Sequence, residues 1–202
     1  PRMIQTLILA SSNAHKAKEL TALLDGIRVI PMRDAGLDLD IEETGTTFAE
    51  NAMLKARAVF DASGLASVAD DSGLAVDALG GRPGIYSARY GGDGATDADR
   101  YRKLLRELHE VPDEKRTARF ICAMACVLDC ETAFVVEGTC EGVILRAPRG
   151  ENGFGYDPVF LIPERGLTLS EMPPEEKNQI SHRARASFFL RERLISMTRE
   201  NR

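Results

Sequence analysis

Two adjacent carboxylates followed by a hydroxyl and a glycine, Asp70-Asp71-Ser72-Gly73, are the residues of this chain best suited to chemistry. They follow a short apolar run, Leu65 to Ala69, with the length and flanks of a buried strand. Carboxylates at the end of a buried strand sit where open α/β sheets bind ligands. Neighbouring strand residues face opposite ways, so the two acids are expected to do different jobs. Oxygen ligands of this kind suit Mg2+, which would neutralise one member of a mutually repelling pair. Asp-Asp-Ser-Gly is also compatible with a plain turn. The residues after it argue for more. Gly80-Gly81-Arg82-Pro83-Gly84 commits glycine and proline to a fixed backbone path, and Ser87-Ala88-Arg89-Tyr90 presents a cation and a ring.

Other segments carry complementary chemistry. Met3–Ala10 reads as a first strand, Ser11-Ser12-Asn13 as turn and cap, and His15 to Leu24 as a helix ended by Gly26. Strand, small polar residues and a helix N-terminus bearing Lys16 form the plan of a phosphate site, where backbone N–H groups and the helix dipole meet an anion. The glycines and Lys-Ser/Thr pair of a P-loop are missing. Asp38-Leu39-Asp40 imitates an aspartyl-phosphate motif but lacks the apolar strand that should precede it. Gly150–Phe160, GENGFGYDPVF, frames Phe154, Tyr156 and Asp157 with glycine and proline, a setting suited to a planar base or to plugging a core edge. Ser181 is expected to cap a last helix from His182 to about Met197, with His182 and Arg183 at an end able to receive an anion.

The elements that must position these groups follow from periodicity. Arg28–Pro31 is a short strand. Thr47-x-x-Glu50 is a capping box opening a helix to about Ser63, closed by Gly64. Its Ala49, Ala52, Met53, Ala56, Val59 and Phe60 fall on an inward face, while Asn51 and Lys55, four apart, share another. Lys55 is expected to face the same cleft as Asp71. Thr96–Leu108 reads as a second amphipathic helix, and Thr117–Leu128 with Ala133–Glu141 as a β-hairpin, which argues against an all-parallel sheet.

Composition bounds the rest. The 202 residues suffice for one sizeable core or two lobes on one sheet, and 44% apolar with 28% charged residues is ordinary for a globular protein. A net charge of −5 argues against a general nucleic-acid binder. No apolar run approaches the roughly 18 residues of a membrane span and no signal peptide is recognisable, so a cytoplasmic protein is expected. Cys122, Cys126, Cys130 and Cys140 include three at four-residue spacing. On a central strand, Cys122 and Cys126 would lie roughly 13 Å apart, too far for a disulfide or shared zinc. Buried reduced thiols are the expectation.

Five separated motifs, in order along nearly the whole chain, resemble one family, the inosine triphosphate pyrophosphatases. They are SSNAHKAKEL from Ser11, EETGTTFAENAMLKARA from Glu42, ADDSGLAVDALGGRPGIYSARY from Ala69, NGFGYDPVF from Asn152 and EEKNQISHRARA from Glu175. The resemblance implies an α/β fold. A long mixed β-sheet with flanking helices would form two lobes around a central nucleotide cleft, with residues 1–202 a single domain. It implies Mg2+-dependent hydrolysis of non-standard purine nucleoside triphosphates, dITP, ITP and XTP, to the monophosphate and pyrophosphate. It also implies a homodimer with no nucleic-acid or membrane partner. By resemblance, Ser11, Ser12, Asn13, Ala14, His15 and Lys16 form the triphosphate loop. Glu42 and Asp71 bind metal, and Asp71 is also the proton acceptor. Ser72 contacts substrate, as do Phe154, Gly155, Tyr156 and Asp157 with Lys177, His182 and Arg183. Lys55 and Asp70 match recurrent cleft residues. The first motif departs from the family's Thr-Gly-Asn-x-Gly-Lys, because Ser12 and His15 replace both glycines. A nucleotide-binding regulator without turnover and a pyrophosphatase preferring pyrimidines are the alternative readings.

Overall fold

Alternation of apolar residues along the first strand divides the helices between two faces. The computed structural model describes residues 5–11, 14–24 and 26–200. In chain order the principal elements are β1 (Thr6–Leu9), α1 (Ala14–Leu23), β2 (Arg28–Pro31), α2 (Phe48–Ser63), β3 (Ser67–Val76) and α3 (Asp97–Glu107). There follow β4 (Thr117–Val127), β5 (Ala133–Ile144), β6 (Phe160–Ile162), β7 (Leu167–Thr168), α4 (Pro174–Ile180) and α5 (His182–Glu200). Among the described residues the strands form a seven-stranded sheet, ordered β2-β1-β3-β4-β5-β6-β7. β1 runs parallel to β2 and β3, with Ile8 opposite Ser67, whereas β6 is antiparallel to β5 and β7. The sheet is therefore mixed, as the hairpin required. None of the described helices is long and apolar enough to cross a membrane.

The chain divides into two compact units, one of residues 1–71, 122–138 and 183–202, the other of residues 72–121 and 139–182. In the first, Leu7 and Leu9 join Leu20 and Leu24 of the α1 region, Val68, Met124, and Ala186 and Leu190 of α5. Ile8, with the opposite parity, joins Ala52, Ala56 and Val59 of α2 together with Ala69, Ala123 and Ala125. Helices α1 and α5 thus cover one face of these strands and α2 the other. Full burial of each Leu or Val contributes roughly 1.5–3 kcal/mol. The second unit has its own core, in which Leu74, Val76, Leu104, Phe120, Tyr156 and Phe160 pack together.

Helix α2 has both its ends specified. The Thr47 hydroxyl accepts from the Glu50 N–H at 3.1 Å. The Glu50 carboxylate reaches one residue further back than a standard capping box, accepting from the Thr46 N–H at 2.6 Å and the Thr46 hydroxyl at 2.8 Å. Gly64 closes the helix in the left-handed region, with its N–H on the Phe60 carbonyl.

Two expectations are corrected. Asp70 and Asp71 lie in the middle of β3, neither at a strand end nor in a turn. The strand continues because Leu74 and Val76 have a core to enter, and the Leu74 N–H is met by the Ser87 hydroxyl at 2.9 Å. Of the four cysteines, Cys122, Cys126 and Cys140 are buried, whereas Cys130 is exposed at the β4–β5 turn. That turn is closed by the Leu128 N–H on the Thr132 carbonyl and by Asp129, which accepts from the Glu131 and Thr132 N–H groups.

Candidate functional site

The alternation that sorts the core also sorts the two acids. Asp70 shares the parity of Val68 and faces α1 and α5; Asp71 shares that of Ala69 and faces α2. On the first face the Lys16 ammonium is 3.2 Å from one Asp70 oxygen, and Arg183 donates to the other at 3.2 and 3.3 Å. Arg183 also pairs with Glu19. The guanidinium is 2% exposed. Burial works against its charge, but Asp70, Cys122 and Glu19 reverse that and raise its pKa. Two cations therefore oppose two anions, and at the buried Arg183–Asp70 pair removal of one partner leaves an expensive uncompensated charge.

On the other face Asp71 is held by α2. The Lys55 ammonium is 3.3 Å from Asp71 Oδ1 and 2.6 Å from Glu43 Oε1. Asn51 Nδ2 donates to Asp71 Oδ2 at 3.3 Å. Burial pushes the Asp71 carboxyl above the ordinary carboxylate range and outweighs the attraction of Lys55, with Glu43 adding to the upward shift. Burial also opposes charge on Lys55, yet Asp71, Glu43 and Asp70 together raise its pKa. The Asp71 contacts are long for charge-assisted bonds, and its ionised form is incompletely compensated.

The second unit carries the glycine-framed aromatic segment. Asp157 Oδ2 accepts from the Phe154 N–H and from the Lys177 ammonium, each at 2.9 Å. Lys177 also lies 4.9 Å from the Phe154 ring centroid. A side chain at Gly153 would place its Cβ 2.2 Å from Asp157 Oδ2, so glycine is required there by space as well as by its φ of +78°. The Gly155 N–H donates to Asp97 on α3 at 2.7 Å. Tyr156 enters the core, its hydroxyl donating to the Ser87 carbonyl at 2.8 Å. His182 stacks on Phe120, with ring centroids 4.8 Å apart.

The structure brings Lys16, Asp70 and Arg183 together on one face, and Lys55 and Asp71 on the other. Asp157 and Lys177 meet beside Phe154. Ser11 is partly buried after β1, and Ala14 and His15 open α1. Ser12 and Asn13 lie outside the described residues. Ser72 follows Asp71 in β3 and is partly buried. Glu42 is exposed, and its neighbour Glu43 is the acid paired with Lys55. In an irregular segment no periodicity distinguishes these two glutamates. Glu19 and Asp97 were also missed, because each acts on a residue distant in sequence. Arg116 lies in the connection between α3 and β4. It is 2% exposed and donates to the carbonyls of Leu108, Ile144 and Leu145. Among the described residues, no group of three or more His, Cys, Asp or Glu could hold a metal by itself.

Sequence and fold comparisons identify relatives of this chain. The chain is 55% identical over 185 residues to a dITP/XTP pyrophosphatase of Geobacillus kaustophilus (strain HTA426), covering 91% of each. It is 49% identical over 187 residues to the dITP/XTP pyrophosphatase of Escherichia coli (strain K12), covering 91% of this chain and 94% of that one. A solved HAM1 protein from Coxiella burnetii matches with a TM-score of 0.87 at 44% identity, covering 95% of this chain and 98% of the other. The Ham1 family model matches residues 7–193. With that match and relatives of this identity along most of both chains, the chain belongs to the Ham1 family.

Proposed function

We propose that this chain is a dITP/XTP pyrophosphatase, hydrolysing dITP, ITP and XTP to the monophosphate and pyrophosphate and so cleansing the nucleotide pool. The observation that carries the reading is the pair of mid-strand acids on opposite faces of β3, each matched to a lysine: Asp70 to Lys16 and Asp71 to Lys55. Residues 1–202 act as one pyrophosphatase domain. The residues from Ser11 to Lys16 hold the triphosphate. Asp71 takes the proton of the attacking water as the P–O bond to the leaving pyrophosphate breaks. Lys16 and Lys55 offset the charge that develops on phosphate oxygens. Ser72 contacts the substrate. Phe154, Gly155 and Asp157, with Lys177 and His182, hold the base, Tyr156 anchors their segment in the core, and Arg183 acts through Asp70.

Mg2+ fits the donors present. Asp71 is a buried carboxylate whose charge its protein contacts leave incompletely compensated. Mg2+ is bound by one or two carboxylates, with water and phosphate completing its octahedron, so a larger acidic cluster is not needed. Glu42 and Asp71 would hold it, and it would neutralise phosphate oxygens when bound. The protein works as a homodimer in the cytoplasm, without a nucleic-acid or membrane partner, in keeping with its net charge of −5.

Product identification tests the reading. With dITP and Mg2+, dIMP and pyrophosphate should appear in equal amounts, and Asp71→Asn should lower kcat about 10³-fold or more. Orthophosphate as the product would overturn the proposed bond cleavage. A folded Asp71→Asn protein retaining more than about a tenth of kcat would remove Asp71 from its role.

A further inference from the structure

The geometry points to Asn51 as a positioning residue for this reaction, acting through Asp71; the inference rests on the reading just given. Asn51 is fully buried on α2. Its amide has only one useful orientation. Oδ1 accepts from the Gly45 N–H at 2.8 Å, which turns Nδ2 toward Asp71 Oδ2 at 3.3 Å. An exchanged amide would oppose donor to donor at Gly45 and acceptor to acceptor at Asp71.

Gly45 lies close against this side chain. A Cβ there would fall 2.6 Å from Asn51 Oδ1, 2.7 Å from Glu50 Cβ and 2.9 Å from the Asn51 nitrogen. Only glycine allows the segment after Glu43 to approach α2 this closely. Asn51 therefore ties together the backbone two residues beyond Glu43 and the Asp71 carboxylate. Lys55, one turn later, touches the Glu43 and Asp71 side chains. Lys55 supplies charge; Asn51 supplies direction. Supporting groups of this kind act by keeping a reacting group within a fraction of an ångström of its working position.

The test uses the 202-residue chain. Asn51→Asp preserves the shape and the acceptor for Gly45, but removes the donor to Asp71. Asn51→Leu removes both. Both should lower kcat for dITP about 30-fold or more while leaving KM within about threefold. A combined Asn51→Asp/Asp71→Asn protein should be no worse than Asp71→Asn alone, within about threefold, because the effect runs through Asp71. In metal-free melts Asn51→Asp should lower Tm, and adding Asp71→Asn should restore it, since an amide again faces a carboxylate. If Asn51→Asp does not fold, recovery of a folded exchanged pair and the loss in Asn51→Leu decide the matter. Unchanged kcat, multiplying losses in the double variant, or no recovery of Tm would each overturn the assignment. A wild-type protein inert toward dITP would remove the functional reading and this catalytic role with it. An active wild type beside fully active Asn51 variants would remove only the inference.

Discussion

Lys16 and His15 occupy the first turn of α1, where the family pattern has glycine before lysine. Lys16 lies 3.2 Å from Asp70, so its ammonium is held at this end of the helix before any phosphate arrives. That tether reduces the side-chain entropy lost on binding an anion. Lys16→Ala should therefore cost about 100-fold in kcat/KM for dITP, or roughly 2.7 kcal/mol. His15→Gly should change it by less than about tenfold, since backbone N–H groups at this helix start can still meet phosphate. Measuring both variants at about pH 6 and pH 8 brackets the ordinary histidine value. A larger loss for His15→Gly, concentrated at the lower pH, would show that phosphate recognition has moved onto the imidazole.

At the scale of elements, α2 matters most, because it brings Asn51 and Lys55 to Asp71. Its N-terminus depends partly on Glu50, whose carboxyl is held below its ordinary value of 4.5 by the hydrogen bonds from Thr46. A depressed carboxyl stabilises the fold above the unfolded-state value, and that contribution disappears as the pH falls through the folded-state value. Glu50→Gln should thus lower Tm at pH 7, and the gap from the wild type should close as the pH drops from about 4.5 to below the depressed value. Paired thermal melts taken from pH 7 downward through the acid range check this. A gap that does not narrow at any acid pH would remove the ionised cap from α2. This helix was legible in advance: Thr47, Glu50 and Gly64 marked its ends, and alanine spacing its inner face. Strand parity likewise separated Asp70 from Asp71. The length of β3 was not legible, because Ser72-Gly73 resembles a turn until Leu74 and Val76 are seen to enter a core. Nor were the partners of Arg183. Glu19 and Asp70 are distant in sequence, and only the packing of α1 and α5 on one face brings all three together. Tyr156 had both a base-binding and a core reading, and its burial beside Ser87 favours the second.

For the molecule as a whole, each unit has its own core, and the thiols report on that organisation. Burial pushes the Cys126 thiol up to about 12, and Cys122 and Cys140 are buried, while Cys130 is exposed. A neutral-pH titration of the native protein should detect about one rapidly reacting thiol, with all four appearing after denaturation. Rapid reaction of several native thiols would contradict the packing described.

The proposed activity is defined above all by the base that is accepted. Hypoxanthine and xanthine carry an oxygen at purine position 6, where adenine carries an amino group. Donors facing that oxygen would be left unpaired by adenine, and buried unpaired donors can discriminate by about 10⁴. Guanine keeps the oxygen but adds a 2-amino group that must find either space or a partner. The most direct measurement is therefore kcat/KM for pyrophosphate release from dITP, XTP, dATP and dGTP under one set of conditions with Mg2+. Values for dITP and XTP should exceed those for dATP and dGTP by about 10³ or more. Comparable values for dITP and dATP would contradict the proposed activity.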